Sequence, residues 1–267
     1  MIFRLLWGAV LGLLVASGAV AAGPVQTGTL NGRVLGEGEN PLANGSVVLF
    51  RRGAGPPPAP DRYWLVPDYV EDLDDDGRFS VAVEAGAYYL AAIKRNNRKE
   101  IGPPKDGELF LVAADAKGMP ATFTVKGGET AGAGTIAGVR PFGKETAAAR
   151  PAGFTAIEGT IVDGDGKPVE GVIVFAFTSP TMVGKPLFVS ERSGKEGNYL
   201  LRVAAGGVYY LKVRDVYGGG EPAEGTVYAT FGGDIPSAVN VDYGDVKKGI
   251  TIPVSRFERP TRKKGNR

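Results

Sequence analysis

The alternation of apolar and polar positions in this chain occurs in two similar copies. AGAYYLAAIKR runs from Ala85 to Arg95, and AGGVYYLKVRD from Ala205 to Asp215. Period-two spacing puts Tyr88, Leu90 and Ala92 on one face of the first stretch, and Tyr209, Leu211 and Val213 on the matching face of the second. Each predicts a core strand entered through a glycine turn, with a tyrosine hydroxyl that requires a hydrogen-bond partner. Upstream of each lies a second alternating run, Phe79-Val81-Val83 and Tyr199-Leu201-Val203, begun two residues after a turn glycine.

The copies align outward from these strands. Thr29 to Leu35 and Ser46 to Arg51 correspond to Ala156 to Val162 and Val172 to Phe177, and Gly32 pairs with Gly159 and Pro41 with Pro168 at an offset of 127. GELFLV (107–112) resembles GTVYATF (225–231). PATFTV (120–125) matches PSAVNV (236–241) at an offset of 116, which also pairs Thr135 with Thr251 and Ile136 with Ile252. Asn-Gly and Asp-Gly dipeptides supply the turns. Each copy reads as about seven short strands, and neither holds an amphipathic helical window of useful length. The expectation is an all-β chain of two tandem seven-stranded Greek-key β-sandwiches. The first covers 24–142 and the second 154–258, joined by a short Pro-, Gly- and Ala-containing linker at 143–153.

These residues resemble a known family. An opening Gly-x-Val strand, a Pro-containing turn, an Asp-x-x-Gly-x-Phe-like turn and a Gly-x-Tyr-Tyr-Leu strand are the pattern of the carboxypeptidase regulatory-like domain. The matching positions are Gly32, Pro41, Asp76-Gly77-Arg78-Phe79 and Gly86-Ala87-Tyr88-Tyr89 in copy one. In copy two they are Gly159, Pro168, Gly197-Asn198-Tyr199 and Gly207-Val208-Tyr209-Tyr210, with SGKEGNY in place of the acidic turn. The resemblance implies the transthyretin-like (prealbumin-like) sandwich and an accessory role in the bacterial envelope, with no catalytic residues and no cofactor. Fibronectin-like and Cna-B-like sandwiches share the strand pattern, and a fold alone does not assign function.

Composition narrows the chemistry. The chain has no cysteine and no histidine, which removes disulfides, thiol catalysis, the usual zinc sites and the usual triad base. Residues 1–22 read as a signal peptide. Arg4 is the basic region, Leu5 to Ala16 the apolar region and Ala19-Val20-Ala21 the small-residue cleavage site. An uncleaved membrane anchor is the alternative, against which the apolar run is short for a span of about 20 residues. Export to the periplasm or beyond is expected. The net charge of +2 conceals a basic tail: Arg256 to Arg267 carry +5, and the body between leader and tail sums to −4. That distribution argues against nucleic acid as a partner. Residues 259–267 read as a disordered basic tail, with weak contact to an anionic surface as its functional reading.

Three groups of residues are candidate sites. Asp72, Asp74 and Asp76 precede Gly77 at alternate positions, as calcium-loop carboxylates do. Position twelve of such a loop is Val83 and not the bidentate Glu, and an acidic turn before a strand explains the same residues. Gly53 to Pro60 (GAGPPPAP) is an insertion relative to copy two and leads into Tyr63, Trp64 and Tyr69. A stiff polyproline segment beside aromatics is a candidate contact for a protein or carbohydrate partner of the envelope; the competing reading has Trp64 capping the core. Finally, pairs such as Glu191 with Glu196, or Asp163 with Asp165, would be the acids of the alternative, a polysaccharide-active hydrolase, and both sit in turn-rich sequence.

Overall fold

The computed structural model describes residues 25–97, 102–143, 154–216 and 223–258. The expected leader, the tail and nearly all of the linker lie outside these. The first half forms β1 (Thr27–Val34), β2 (Ser46–Arg51), β3 (Tyr69–Asp72), β4 (Arg78–Glu84), β5 (Gly86–Lys94), β6 (Leu109–Val112), β7 (Thr122–Val125), β8 (Thr130–Ile136) and β9 (Arg140–Pro141). The second half repeats it as β10 (Thr155–Val162), β11 (Ile173–Phe177), β12 (Phe188–Val189), β13 (Asn198–Val203), β14 (Gly207–Arg214), β15 (Val227–Thr230), β16 (Ala238–Val241), β17 (Val246–Pro253) and β18 (Ser255–Arg256). One 3-10 turn, Glu37–Glu39, is the sole helical element among the described residues.

The chain is all-β and builds two sandwich-like units with the same topology. In each, a three-stranded sheet (β4-β1-β8, or β13-β10-β17) faces a six-stranded one. The latter runs β3-β2-β5-β6-β9 with β7 also on β5, or β12-β11-β14-β15-β18 with β16 also on β14. Each unit has nine strands where the alternation predicted about seven. The surplus includes the sheet edges β9 and β18, which are only two residues long and too short to show a period.

The alternating residues fill the two cores as their pattern requires. Tyr88, Leu90 and Ala92 are fully buried with Phe79, Val81 and Val83 in sandwich one, and Tyr209, Leu211 and Val213 with Tyr199, Leu201 and Val203 in sandwich two. The tyrosine tips find their partners: Tyr88 Oη donates to the Glu84 carbonyl at 2.7 Å and Tyr209 Oη to that of Ala205 at 2.8 Å. Burial raises the pKa of both phenols. Gly32 and Gly159 sit where the register of β1 on β8, and of β10 on β17, slips. A Cβ on Gly159 would lie 1.8 Å from the Ile250 carbonyl oxygen, and one on Gly32 would lie 2.9 Å from the Phe79 ring. Glycine is needed there for close approach, not for a turn.

Candidate functional site

The connection from β2 to β3 leaves sandwich one and enters sandwich two. Its run Tyr63-Trp64-Leu65-Val66 is extended and lies along the edge of β12. Leu65 bridges Phe188, the Val189 N–H donates to the Trp64 carbonyl at 3.1 Å, and the Val66 N–H donates to that of Leu187 at 3.2 Å. Side chains alternate across this added strand. Tyr63 and Leu65 enter the core of sandwich two, with the Tyr63 ring 5.5 Å from Phe188 in an edge-to-face contact. Trp64 and Val66 face the other way, into a cluster with Ile173, Phe175, Phe177 and Val189 on the outer face of that sheet. Phe110 and Phe142 of sandwich one complete it, each with its ring edge-on to Trp64 at 5.6 and 5.5 Å. Lys185 ties the exit by donating to the Val66 carbonyl at 2.8 Å and pairing with Asp68 at 3.0 Å.

Tyr63 and Trp64, expected to meet an external partner, therefore meet this chain's own second sandwich. They retain 7% and 9% of their exposure. The prolines hold the loop as the composition suggests: Tyr63 Oη donates to the Pro57 carbonyl at 2.7 Å, and burial pushes this phenol up to about 12. The Trp64 indole N–H has no hydrogen-bond partner among the described residues. Tyr69 is also turned inward. Its ring is edge-on to Tyr88 at 5.8 Å and its hydroxyl accepts from the Glu84 N–H at 3.2 Å.

A cavity of about 310 Å³ remains between this connection and the outer face of sandwich one. Val48, Phe50, Val70, Phe110 and Trp64 give it apolar walls, and Arg95 stands at its side. The neighbouring segment is fixed by the buried Glu108 carboxylate, which accepts from the Lys105 N–H at 2.9 Å and pairs with Arg95 at 3.4 Å. Arg95 also donates to the carbonyls of Gly102 and Pro103.

Asp72, Asp74 and Asp76 do not converge. Asp74 accepts from the N–H groups of Asp76 and Arg78 at 3.0 and 2.7 Å, while Asp72 accepts from Ser46 Oγ at 2.8 Å. Asp115 and Asp163 make the same bonds to the second and fourth residues onward, so the motif is a repeated turn device. Sandwich two keeps the turn with Gly194 in place of Asp74, through the Gly194 N–H on the Asn198 carbonyl at 3.0 Å. Among the described residues no three carboxylates lie close enough to hold a metal. Of the proposed hydrolase pairs, Asp163 is held in its turn and Glu191 pairs with Arg202 at 3.8 Å.

That residues 63–66 pair with the second copy was missing from the sequence reading. Its signals were four consecutive apolar residues between Pro60 and Pro67, and the unbroken apolar run of β11, which marks a strand covered on both faces.

No protein-family model matches the chain, and no curated protein does either. Several solved structures show a distant likeness. The Bacillus anthracis TIE protein is 14% identical over 86% of this chain and 34% of its own, with a TM-score of 0.25. BcpA, the major pilin subunit of Bacillus cereus, is 11% identical over 87% of this chain and 100% of its own, at 0.24. A DUF3823 family protein from Parabacteroides merdae is 14% identical over 83% and 100%, at 0.25. The chain spans 34% of the TIE protein and 63% of a streptococcal ancillary pilin. At such scores the fold rests on the strand pairings themselves.

Proposed function

We propose that this chain is an exported, non-catalytic protein of the bacterial envelope, whose paired sandwiches serve as a binding or structural accessory to a protein or glycan partner. The observation that carries the reading is the coupling of the two units. One module donates a strand and a core tyrosine to the other, which makes a stiff two-module body of the kind that transmits load or presents a surface at fixed spacing. The resemblance to carboxypeptidase regulatory-like modules supports it, as does the leader-like pattern at 1–22. No helix of the described residues is long and apolar enough to cross a membrane.

The test combines location with partner capture. Cell fractionation and mass spectrometry are expected to recover a chain shortened by about 21–22 residues outside the cytoplasm, the length set by the small-residue cleavage site. Site-specific photocrosslinking in cells is expected to join it to an envelope component. Recovery of the intact chain in the cytoplasm, or turnover of an envelope polysaccharide that Glu191→Gln abolishes, would replace this reading with another.

A further inference from the structure

The internal repeat has one member missing. In sandwich two, the edge strand β12 is covered by residues 64–66. The equivalent edge in sandwich one is β3, and among the described strands it pairs with β2 alone. The equivalence holds residue by residue. Tyr69 lies opposite Leu49 as Phe188 lies opposite Ala176. The Asp68 N–H donates to the Leu49 carbonyl at 2.7 Å, as the Leu187 N–H donates to that of Ala176 at 2.8 Å. The Tyr69 ring meets Tyr88 at 5.8 Å as Phe188 meets Tyr209 at 6.0 Å. Val70 is thus the counterpart of Val189, whose N–H holds the added strand. Val48 and Phe50 are the counterparts of Phe175 and Phe177.

The same register locates an empty seat. In sandwich two the space over Phe175, Phe177 and Val189 is filled by Trp64. In sandwich one the space over Val48, Phe50 and Val70 is the cavity of about 310 Å³, and Val70 is 58% exposed. Val48, a smaller aliphatic residue, stands where Phe175 stands in the filled copy, so the seat has room for a large ring. The edge and the turn after it are acidic: Glu71 and Asp72 lie on β3, and Asp74, Asp75 and Asp76 follow, while Asp68 is already paired with Lys185. Charge on an exposed edge discourages pairing between copies and favours a basic strand.

We propose that β3 is a docking edge for an extended, basic segment of a partner protein. The segment adds as a strand, accepts the Val70 N–H with its main chain, and places an aromatic side chain in the cavity. This is recognition by strand addition, with main-chain bonds for affinity and one pocket for specificity. It deepens the envelope-accessory reading by naming the partner as polypeptide and the contact as β3.

The probe is a fluorescein-labelled peptide with the sequence of residues 62–66 between lysines, titrated into the mature protein and followed by polarisation. Saturable binding is expected, at least tenfold weaker when glutamates replace the lysines. Val48→Trp, which fills the cavity, and Val70→Pro, which removes the edge donor where proline is tolerated, are each expected to weaken binding at least tenfold while keeping the wild-type melting temperature. Should one variant melt early, the other decides. Failure to bind overturns the proposal. So does binding that both folded variants retain, since the peptide would then be displacing residues 64–66 from β12. Either failure leaves the envelope role standing, because fractionation and crosslinking judge that separately.

Discussion

At the scale of single residues, the repeated positions are those where one atom has no room or one hydroxyl has no other partner. Gly159→Ala would drive a methyl group against the Ile250 carbonyl, which is 1.8 Å from the ideal Cβ position. It is expected to separate β17 from β10 and to lower the melting temperature of sandwich two sharply, as read by circular dichroism. Tyr209→Phe loses only the bond to Ala205 and should cost about 0.5–1.5 kcal/mol, whereas Tyr209→Ala removes a buried ring and should cost about 3–5 kcal/mol in denaturant titrations. The buried phenols also set an alkaline limit. Tyr63 is held from its ordinary 10.0 up to about 12 by burial, so the folded state keeps the proton that the unfolded chain releases. Its contribution to stability is complete below pH 10 and is lost as pH rises toward 12. Absorbance at the phenolate band should show exposed tyrosines titrating first, with the rest appearing together as the structure opens. The pairing of Gly32 with Gly159 and of Tyr88 with Tyr209 was legible in the sequence because each follows from local spacing. The reason for the glycines was not, since it lies in the slipped register of a strand some 90 residues away.

At the scale of elements, long alternating strands were legible and short edge strands were not. β14 alternates over its eight residues, and β5 is nine residues long with six in a row buried, while β9 and β18 have two residues each and no period to read. The insertion before β3 was visible as a difference between copies, yet its partner was not, because pairing between distant segments leaves no local mark. The aromatics chosen for an outside partner are there, and two of them complete a second domain. Of the chain's two tryptophans, Trp7 and Trp64, only Trp64 remains in a protein lacking residues 1–22, and that form is the one to measure. Its emission should therefore be blue-shifted and protected from acrylamide in the native protein, then red-shift when sandwich two unfolds. Emission typical of water-exposed indole in the native state would contradict the docking of residues 63–66 on β12.

At the scale of the whole molecule, the donation is one-way. The core of sandwich one is built from its own residues, whereas that of sandwich two includes Tyr63 with Ala59 and Leu65 packed against it. The outer face of β11 is likewise buried under Trp64 and Phe142. This asymmetry predicts how each half behaves alone. A fragment of residues 25–143 should retain most of its stability, because its inner core is intact and it uncovers only the connection and the outer-face rings Phe110 and Phe142. A fragment of residues 154–258 loses a core aromatic and uncovers Ile173, Phe175 and Phe177. A deficit of about 3–5 kcal/mol from the ring alone is a large share of a domain stability of about 5–15 kcal/mol. It should melt well below the intact protein and bind a hydrophobic dye. In the intact chain, Tyr63→Ala should reproduce part of that loss and split one cooperative transition into two, with sandwich two melting first. Equal stability of the two fragments, or a Tyr63→Ala variant that still melts in one unshifted step, would mean that the added strand decorates sandwich two without completing it.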